Sequence, residues 1–207
     1  MKNFHSLTIK EVVRETPKSV SIVFNVPDDL KPTFKFTAGQ YITIKKEIDG
    51  EELRRSYSIC STPNSGELKV SVKEVADGRF SSYANNELKA GDQLEVFLPE
   101  GKFTFIPSAD AGHRTYAAFA AGSGITPVMS IIKTALTEEE HSKFVLVYGN
   151  RTPEETIFFK ELLALQASYP DRFFVEFVYS RTQNENSFFG RIERSTVNFV
   201  MKNKFKG

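Results

Sequence analysis

Hydrophobic and polar residues alternate in short runs along the first half of the chain. Six runs are rich in β-branched or aromatic residues: HSLTIKEVVRET, SVSIVFNVP, QYITIKKEI, RRSYSIC, ELKVSVKEV and DQLEVFLPEG. Such alternation is typical of strands, and the Pro, Gly, Asn and Asp residues between the runs mark turns. The pattern predicts a six-stranded antiparallel Greek-key β-barrel, interrupted by one short helix within GRFSSYANNELKAGD.

The pattern changes from about Thr115. Apolar strands now alternate with glycine turns and helices, in TYAAFAAGSGITPVMSIIKTAL, KFVLVYGNRTPEETIFFKELLALQASYP and RFFVEFVYSRTQ. This alternation predicts an α/β domain built on a parallel sheet. The segment PSADAGHR resembles a linker. We therefore expect a β-barrel domain at residues 1–108 and an α/β domain at residues 109–207.

The α/β pattern stops after a predicted helix that runs from about Glu193 to Lys204. A crossover helix of a parallel sheet normally leads into another strand. We therefore expect the α/β domain to be incomplete at its C-terminus, as in a truncated chain.

Composition and charge exclude several classes of function. The 207 residues include 27 basic and 26 acidic side chains, so the chain lacks the large field that attracts nucleic acid or an anionic membrane. The single cysteine, Cys60, excludes an internal disulfide and a cysteine-ligated zinc or iron–sulfur centre within this chain. No apolar run approaches the length of a membrane span. We expect a cytoplasmic protein that binds neither nucleic acid nor membrane, and no metal site.

The segment FAAGSGITP places Gly122, Gly124 and Pro127 between an apolar strand and a helix. Glycines let the backbone turn sharply and approach a diphosphate, whose charge is favoured at a helix N-terminus. The alternative is a glycine-rich turn with a structural role only. Pro127 replaces the third glycine of the ordinary Rossmann fingerprint, and the second strand ends in VYGN, without an acid for a ribose hydroxyl. The sequence therefore predicts a different kind of dinucleotide site.

Two further turns carry residues suited to phosphate. The third parallel strand ends in Ser180 and Arg181, a hydroxyl and a guanidinium that suit a 2′-phosphate and so favour NADPH over NADH. A solvated loop is the alternative there. In DGRFSS, Gly78 and Ser81 stand at the start of the helix in the barrel half, where Ser81 would either cap the helix or help to cradle a second phosphate.

The run RRSYSIC raises a similar choice. Tyr57 offers a flat face for an aromatic ring, and Arg55 lies two residues away on the same face of the strand, within reach of an attached phosphate. Ser58 points to the other face. The alternative is an ordinary surface strand with a ladder of cross-strand pairs.

Four motifs follow one another along the chain: R-x-Y-S at Arg55, G-x-x-S at Gly78, G-x-G-x-x-P at Gly122, and a strand that ends in Ser180 and Arg181. This order resembles the ferredoxin-NADP reductase superfamily. The chain most resembles the FAD/NAD(P)H reductase components of phenylacetate-degradation and ring-hydroxylating oxygenase systems, through RRSYSICSTP, GRFSSY, LPEGKF, AAGSGITPVMSIIK, YGNRTPEETIF and YSR. The resemblance covers essentially the whole chain.

The resemblance implies roles for individual residues. Tyr57 would pack on the flavin ring, Arg55 would bind the flavin phosphate, and Ser58 would lie near the reactive flavin nitrogen, so that Tyr57 and Ser58 position the hydride step. Two backbone segments would line the flavin: Ile59, Cys60 and Ser61, and Val72, Lys73 and Glu74. The FAD pyrophosphate would be held by Gly78, Phe80, Ser81 and Ser82. The NADP diphosphate would be held by Gly122, Gly124, Thr126 and Pro127, with Ser180 and Arg181 at the 2′-phosphate.

The implied function is a flavoprotein reductase that takes a hydride from NAD(P)H onto FAD and passes single electrons to a ferredoxin-type protein, a flavodoxin or an oxygenase component. FMN would be served by Arg55 and Tyr57 as well as FAD. Two alternatives stay open: reduction of free flavin or a small molecule, and a flavin-binding fragment that docks a partner without turnover. Both the Cys-Gly-Pro strand of the superfamily and the 2Fe–2S domain of the most similar relatives lie outside this chain. Without that strand, Ala117 to Ala121 would form an exposed sheet edge, which predicts a homodimer.

Overall fold

The computed structural model of the chain describes residues 4–108, 112–185 and 187–204. The chain divides into two compact units. The first comprises the residues up to Ile106 together with Thr126–Thr134, and the second comprises Pro107–Ile125 and the residues from Ala135 onward. Among the described residues, no helix is both long and apolar enough to span a membrane.

Six antiparallel strands build the first unit. They are β1 (His5–Thr16), β2 (Ser19–Asn25), β3 (Tyr41–Ile48), β4 (Glu51–Ser58), β5 (Leu68–Lys73) and β6 (Gln93–Val96), in the spatial order β4-β3-β6-β1-β2-β5. Strand β6 returns to lie between β1 and β3, as a Greek-key connection requires. A bridge between Ile59, just after β4, and Val70 of β5 joins the two ends of the sheet and closes the barrel. The predicted barrel is confirmed.

Inward-facing aliphatic residues form one continuous core in the barrel. Leu7, Ile22, Ile44, Val70 and Val96 are all fully buried, and each comes from a different strand. The predicted short helix, α1 (Arg79–Asn86), packs against this core. Its apolar side chains therefore fix the helix on the barrel.

The second unit contains a parallel sheet in the order β10-β9-β8-β7. The elements from Thr115 onward are β7 (Thr115–Ala121), α2 (Ile125–Glu138), β8 (Lys143–Asn150), α3 (Phe159–Ser168), β9 (Phe173–Tyr179), β10 (Phe188–Phe189) and α4 (Arg194–Lys204). Of these, the Thr126–Thr134 part of α2 belongs to the first unit. The sequence predicts three of these strands and not β10. With two residues, β10 is too short to show a period, and it forms by pairing with Val178 and Tyr179 of β9.

Strand β8 lies in the middle of this sheet and is buried on both faces. Val145 and Val147 pack with Val200 of α4 on one face. Strand β7 pairs with β8 and has no second neighbour among the described strands. Its Phe119 side chain is 40% exposed. The expected placement of this strand at an edge of the sheet is therefore what the structure has.

Candidate functional site

Tyr57 lies at the end of β4 with its ring half-buried against the barrel core. Its ring centroid is 5.6 Å from that of Phe80 in α1, with the ring planes tilted by 33°. Burial raises the pKa of Tyr57 from 10.0 to about 12, although the nearby Arg55 guanidinium acts in the opposite direction. The phenol therefore stays neutral at ordinary pH and offers a flat, partly exposed aromatic ring.

Arg55 shares the face of β4 that carries Tyr57, because residues two apart on a strand point the same way. It is exposed, and its Nη1 donates to the Arg54 carbonyl over 2.8 Å. Arg54 is bound more firmly, since its guanidinium pairs with Glu52 at 2.7 Å and lies over the Phe4 ring. Of the two arginines, Arg55 is thus the one placed to reach a ligand beside Tyr57.

The chain just after β4 is fixed by the closure of the barrel. Ser58 is half-buried, and Ile59, Cys60 and Ser61 are buried. The Ile59 and Cys60 N–H groups donate to the carbonyls of Gln40 and Lys69. The Ser61 hydroxyl donates to the Glu67 carbonyl, and the Ser61 carbonyl accepts from the Ser130 hydroxyl at 2.6 Å.

Cys60 is 1% exposed, and its thiol points to the Lys69 carbonyl at 3.3 Å. A buried thiol in this position acts as a small packing residue of the barrel.

The loop before α1 leaves no room for a side chain at Gly78. A Cβ there would lie 2.4 Å from the Ser81 Oγ and 2.5 Å from the Val75 Cγ2. The Ser81 hydroxyl donates to the Gly78 carbonyl at 2.9 Å and accepts from the Val75 N–H at 3.2 Å. Gly78 itself is the N-cap residue, and no side chain caps the helix. The capping role considered for Ser81 is therefore wrong, because its hydroxyl bonds to Gly78 and Val75 in the loop before the helix.

The first turn of α1 presents backbone rather than side chains. The first N–H groups of a helix have no intrahelical acceptor, and the first amide here to reach one is that of Ser82, which bonds to the Gly78 carbonyl. Phe80 is 1% exposed with its ring in the core, so only its backbone can face a ligand. The Ser82 hydroxyl donates to the Glu74 carboxylate at 3.2 Å. Of the other residues predicted to line this site, Val72 is buried and Lys73 is half-buried.

Sequence reasoning did not identify Arg79, the first residue of α1, as a residue that fixes the start of this helix. Its guanidinium pairs with the Glu51 carboxylate, donates to the Ile48 carbonyl and lies 3.6 Å from Asp49. These contacts tie the helix start to the β3–β4 hairpin. The sequence signal was an arginine directly after the glycine that precedes the predicted helix.

The glycine-rich segment between β7 and α2 forms a tight turn, Gly122–Gly124, and the helix begins at Ile125. Gly122 has a φ of +52°, which other residues adopt only with strain. In the part of the chain that the structure describes, no atom outside the turn lies within 4 Å of the place where a Cβ would stand on Gly122 or Gly124, so the turn is open. Thr126 is buried and Pro127 half-buried at the start of the helix. A proline is tolerated there because first-turn amides need no intrahelical acceptor.

Ser180 and Arg181 follow β9 and are fixed through their backbone to the chain after β8. The Ser180 N–H and hydroxyl both donate to the Asn150 carbonyl, at 3.0 and 3.4 Å, and the Arg181 N–H donates to the Arg151 carbonyl at 3.0 Å. The Arg181 side chain is exposed.

The second sheet brings the glycine turn and Ser180–Arg181 to one edge. The register pairs Ala121 with Gly149 and Gly149 with Val178, so both segments follow the carboxyl ends of their strands, with β8 between them. Two strand spacings separate them by about 10 Å. Backbone amides at a helix start and an arginine on a neighbouring turn are the groups that suit a diphosphate and a further phosphate.

Comparison with known proteins finds a different family in each half of the chain. Residues 6–105 match the family of oxidoreductase FAD-binding domains, and residues 119–204 match the family of oxidoreductase NAD-binding domains. The chain therefore combines an FAD-binding and an NAD-binding domain of the kinds found in oxidoreductases. This pair of domains, in this order along the chain, agrees with the expected resemblance to the ferredoxin-NADP reductase superfamily.

Individual relatives support the same assignment. A component of the 1,2-phenylacetyl-CoA epoxidase of Escherichia coli K12 is 44% identical over 194 residues, which are 93% of this chain and 54% of that protein. The ferredoxin reductase component of the 3-ketosteroid-9-alpha-monooxygenase of Rhodococcus rhodochrous is 43% identical over 80% of this chain and 46% of its own length. The chain thus spans about half the length of these relatives.

A solved structure shows the shared fold. The ferredoxin NADP+ reductase of Neisseria gonorrhoeae, determined with bound FAD and NADP, matches with a TM-score of 0.77 and 22% identity, covering 99% of this chain and 78% of that one.

Proposed function

We propose that this chain binds FAD and NADPH and forms the reductase part of a system that delivers electrons to an iron–sulfur protein, a flavodoxin or an oxygenase component. The observation that carries the proposal is a pair of backbone cradles, each at the start of a helix. Gly78 precedes α1 in the barrel, and Gly122 precedes α2 at the edge of the parallel sheet. Two diphosphates, one from FAD and one from NADPH, require two such cradles.

On the flavin side, the Tyr57 ring would pack against the flavin ring and Arg55 would pair with a flavin phosphate. Ser58 would lie beside the flavin nitrogen, and Ile59, Cys60 and Ser61 would border the ring through their backbone. The segment Val72, Lys73 and Glu74 would line the other side. FMN lacks a diphosphate, so the cradle formed by Gly78, Phe80, Ser81 and Ser82 favours FAD.

On the coenzyme side, backbone N–H groups at Gly122 and Gly124 would bind the diphosphate, next to Thr126 and Pro127. Ser180 and Arg181 would take the 2′-phosphate through a hydroxyl and a guanidinium, which is our reason for proposing NADPH over NADH.

Bound FAD supplies the conversion between hydride transfer from a nicotinamide and one-electron transfer to an acceptor. The residues of the chain orient the flavin ring and hold the phosphate groups in place. Tyr57 fixes the plane of the ring without exchanging a proton, since its raised pKa keeps the hydroxyl neutral. The backbone cradles hold the diphosphates, and Arg55 and Arg181 neutralise phosphate charge.

The acceptor and the assembly are proposals of the same kind. One relative is named as a ferredoxin reductase component and another as part of an epoxidase, and we propose a ferredoxin-type protein, a flavodoxin or an oxygenase component for this chain as well. The edge strand β7 leaves main-chain groups of Ala117–Ala121 without a second strand among the described residues, which is our reason for proposing a homodimer. The single, buried Cys60 suits a reducing, cytoplasmic setting.

The first experiment is a flavin-binding assay. Purified chain is stripped of flavin and titrated with FAD and with FMN, and binding is followed by quenching of flavin fluorescence. We expect FAD to bind at least about tenfold more tightly, because FMN leaves the Gly78 cradle without its second phosphate. Equal affinity for FMN and FAD would contradict the role of that cradle, and binding of neither would contradict the proposed function.

A further inference from the structure

Tyr148 carries a buried hydroxyl directly beneath the glycine turn. Its side chain is fully buried on β8, and the hydroxyl donates to the Gly122 carbonyl at 2.9 Å. Burial raises the pKa of Tyr148, with a smaller opposing effect from the Asn150 side chain and the Ile157 backbone N–H. The hydroxyl therefore keeps its proton at neutral pH and donates to Gly122.

The hydrogen bond acts on a peptide whose orientation matters. A peptide group is planar, so holding the Gly122 carbonyl also fixes the direction of the Ser123 N–H on the other side of the same plane. That N–H belongs to the turn that stands open at the carboxyl edge of the sheet. Gly122, with its positive φ, has more conformational freedom than other residues. Its carbonyl accepts from the Ile125 N–H within the turn, and the Tyr148 hydroxyl is a second donor, from a neighbouring strand, to the same oxygen.

Packing alone does not require the hydroxyl. The Tyr148 ring contacts Phe177 at a centroid distance of 6.4 Å, and a phenylalanine would make the same ring contact. The hydroxyl adds one connection that a phenylalanine lacks, the hydrogen bond to the Gly122 carbonyl in the turn after β7. It therefore links β8 to this turn, at the edge of the sheet where Arg181 also lies.

We propose that Tyr148 is a positioning residue for the coenzyme: its buried hydroxyl holds the Gly122 peptide in the orientation that receives the diphosphate. This inference rests on the proposed function, because it assumes that the turn binds NAD(P)H. Both NADPH and NADH carry the diphosphate, so Tyr148 contributes equally to the binding of each. Arg181, in contrast, would distinguish them.

The test compares Tyr148→Phe with a matched control, Tyr116→Phe. Tyr116 stands at the opposite end of the same sheet, where its hydroxyl donates to Glu139 at 2.9 Å. Binding of NADP+ and NAD+ is measured by calorimetry. KM and kcat are measured with ferricyanide as acceptor, and the melting temperature and flavin spectrum report on folding. We expect Tyr148→Phe to weaken both nucleotides about fivefold, the effect of one lost hydrogen bond, with kcat changed less than twofold. Tyr116→Phe should lower the melting temperature and leave both affinities unchanged.

The outcomes separate this inference from the proposed function. If the unmutated chain binds neither NADP+ nor NAD+, the proposed function fails and the inference fails with it. If it binds them and Tyr148→Phe binds them equally well, only the inference is overturned. A Tyr148→Phe chain that does not fold, or one that loses affinity no more than Tyr116→Phe does, would make the hydroxyl a purely structural group and would also overturn it.

Discussion

The loop before α1 and the turn before α2 are both short glycine segments that lead into a helix, yet their surroundings differ. At the first, the Ser81 hydroxyl makes two hydrogen bonds within the loop, and a Cβ on Gly78 would meet side-chain and backbone atoms. At the second, no atom of the described residues outside the turn lies near the position of a Cβ on Gly122. A closed, preformed loop suits a cofactor that stays bound, whereas an open turn suits a coenzyme that enters and leaves in each cycle.

The side chains proposed to contact the flavin and the coenzyme also differ in their surroundings. Tyr57 packs against Phe80, which is itself buried in the barrel core, so the surface proposed for the flavin is continuous with the core of the first unit. Ser180 and Arg181 bond to the carbonyls of Asn150 and Arg151, and the Arg181 side chain is exposed. The comparison therefore predicts that substitutions at the flavin site weaken FAD binding strongly. Substitutions at the coenzyme site should have smaller effects, which differ between NADPH and NADH.

Gly78→Ala should have the largest effect. The added methyl would stand within 2.5 Å of two side-chain atoms, so the loop must shift and the cradle with it. Overpacking of this kind costs about 1 to 3 kcal/mol, which corresponds to about a hundredfold loss of FAD affinity at the upper end. Fluorescence titration measures the loss. Gly124→Ala, in the open turn before α2 and with a φ of −62°, is the control and should retain FAD binding. Normal FAD affinity in Gly78→Ala would contradict the claim that the closed loop before α1 holds the FAD diphosphate.

Tyr57→Ala should come next, with FAD affinity reduced about thirtyfold. Stacking of a base on an aromatic side chain contributes about 1 to 3 kcal/mol, and the flavin ring would lose that contact. Tyr57→Phe keeps the ring and should bind FAD within about twofold of the unmutated chain. If alanine and phenylalanine at this position behave alike, the ring is not the flavin's contact surface.

Arg181→Ala should have a smaller and selective effect on steady-state kinetics. Loss of a charge-assisted bond to phosphate costs about 1.5 to 3 kcal/mol, so KM for NADPH should rise about tenfold or more. KM for NADH, which lacks the 2′-phosphate, should stay within about twofold. Arg194→Ala, at the exposed start of α4, is the charge-matched control. Equal rises for both coenzymes would place Arg181 elsewhere than at the 2′-phosphate.

The smallest effect concerns pH. Because the pKa of Tyr57 is about 12 in the folded chain and near 10.0 when exposed, the folded state holds this proton more tightly. The contribution is complete below pH 10 and is lost as pH rises toward 12. Tyr57→Phe should therefore lose less stability between pH 9 and 12 than the unmutated chain does, as followed by chemical denaturation. An identical slope for both chains would show that Tyr57 is less buried than its contact with Phe80 indicates.

Most of the fold could be predicted because alternation and apolar runs are strong signals in strands such as β3 and β8, which have one or two buried faces. Strand β10 could not, since two phenylalanines carry no period and depend on the neighbouring Val178 and Tyr179. At the candidate site, the sequence motifs predicted that Tyr57 lies near the end of one strand and that Gly122 directly follows another, as the structure has them.

The role of Ser81 depended on the path of the loop from Val75 to Gly78, which spacing alone does not reveal. Tyr148 was hidden for the same reason: in the sequence it looks like any core aromatic residue, and only the register of β7 and β8 brings it under Gly122.

The most direct test of the account is an anaerobic titration of the FAD-loaded chain with NADPH, followed through the visible absorbance of the flavin. We predict that the absorbance bleaches with about one NADPH per flavin, and that Arg181→Ala needs a higher NADPH concentration to reach the same end point. Dithionite serves as the control for complete reduction. A flavin that dithionite bleaches and saturating NADPH leaves unchanged would contradict the claim that this chain binds both cofactors for hydride transfer.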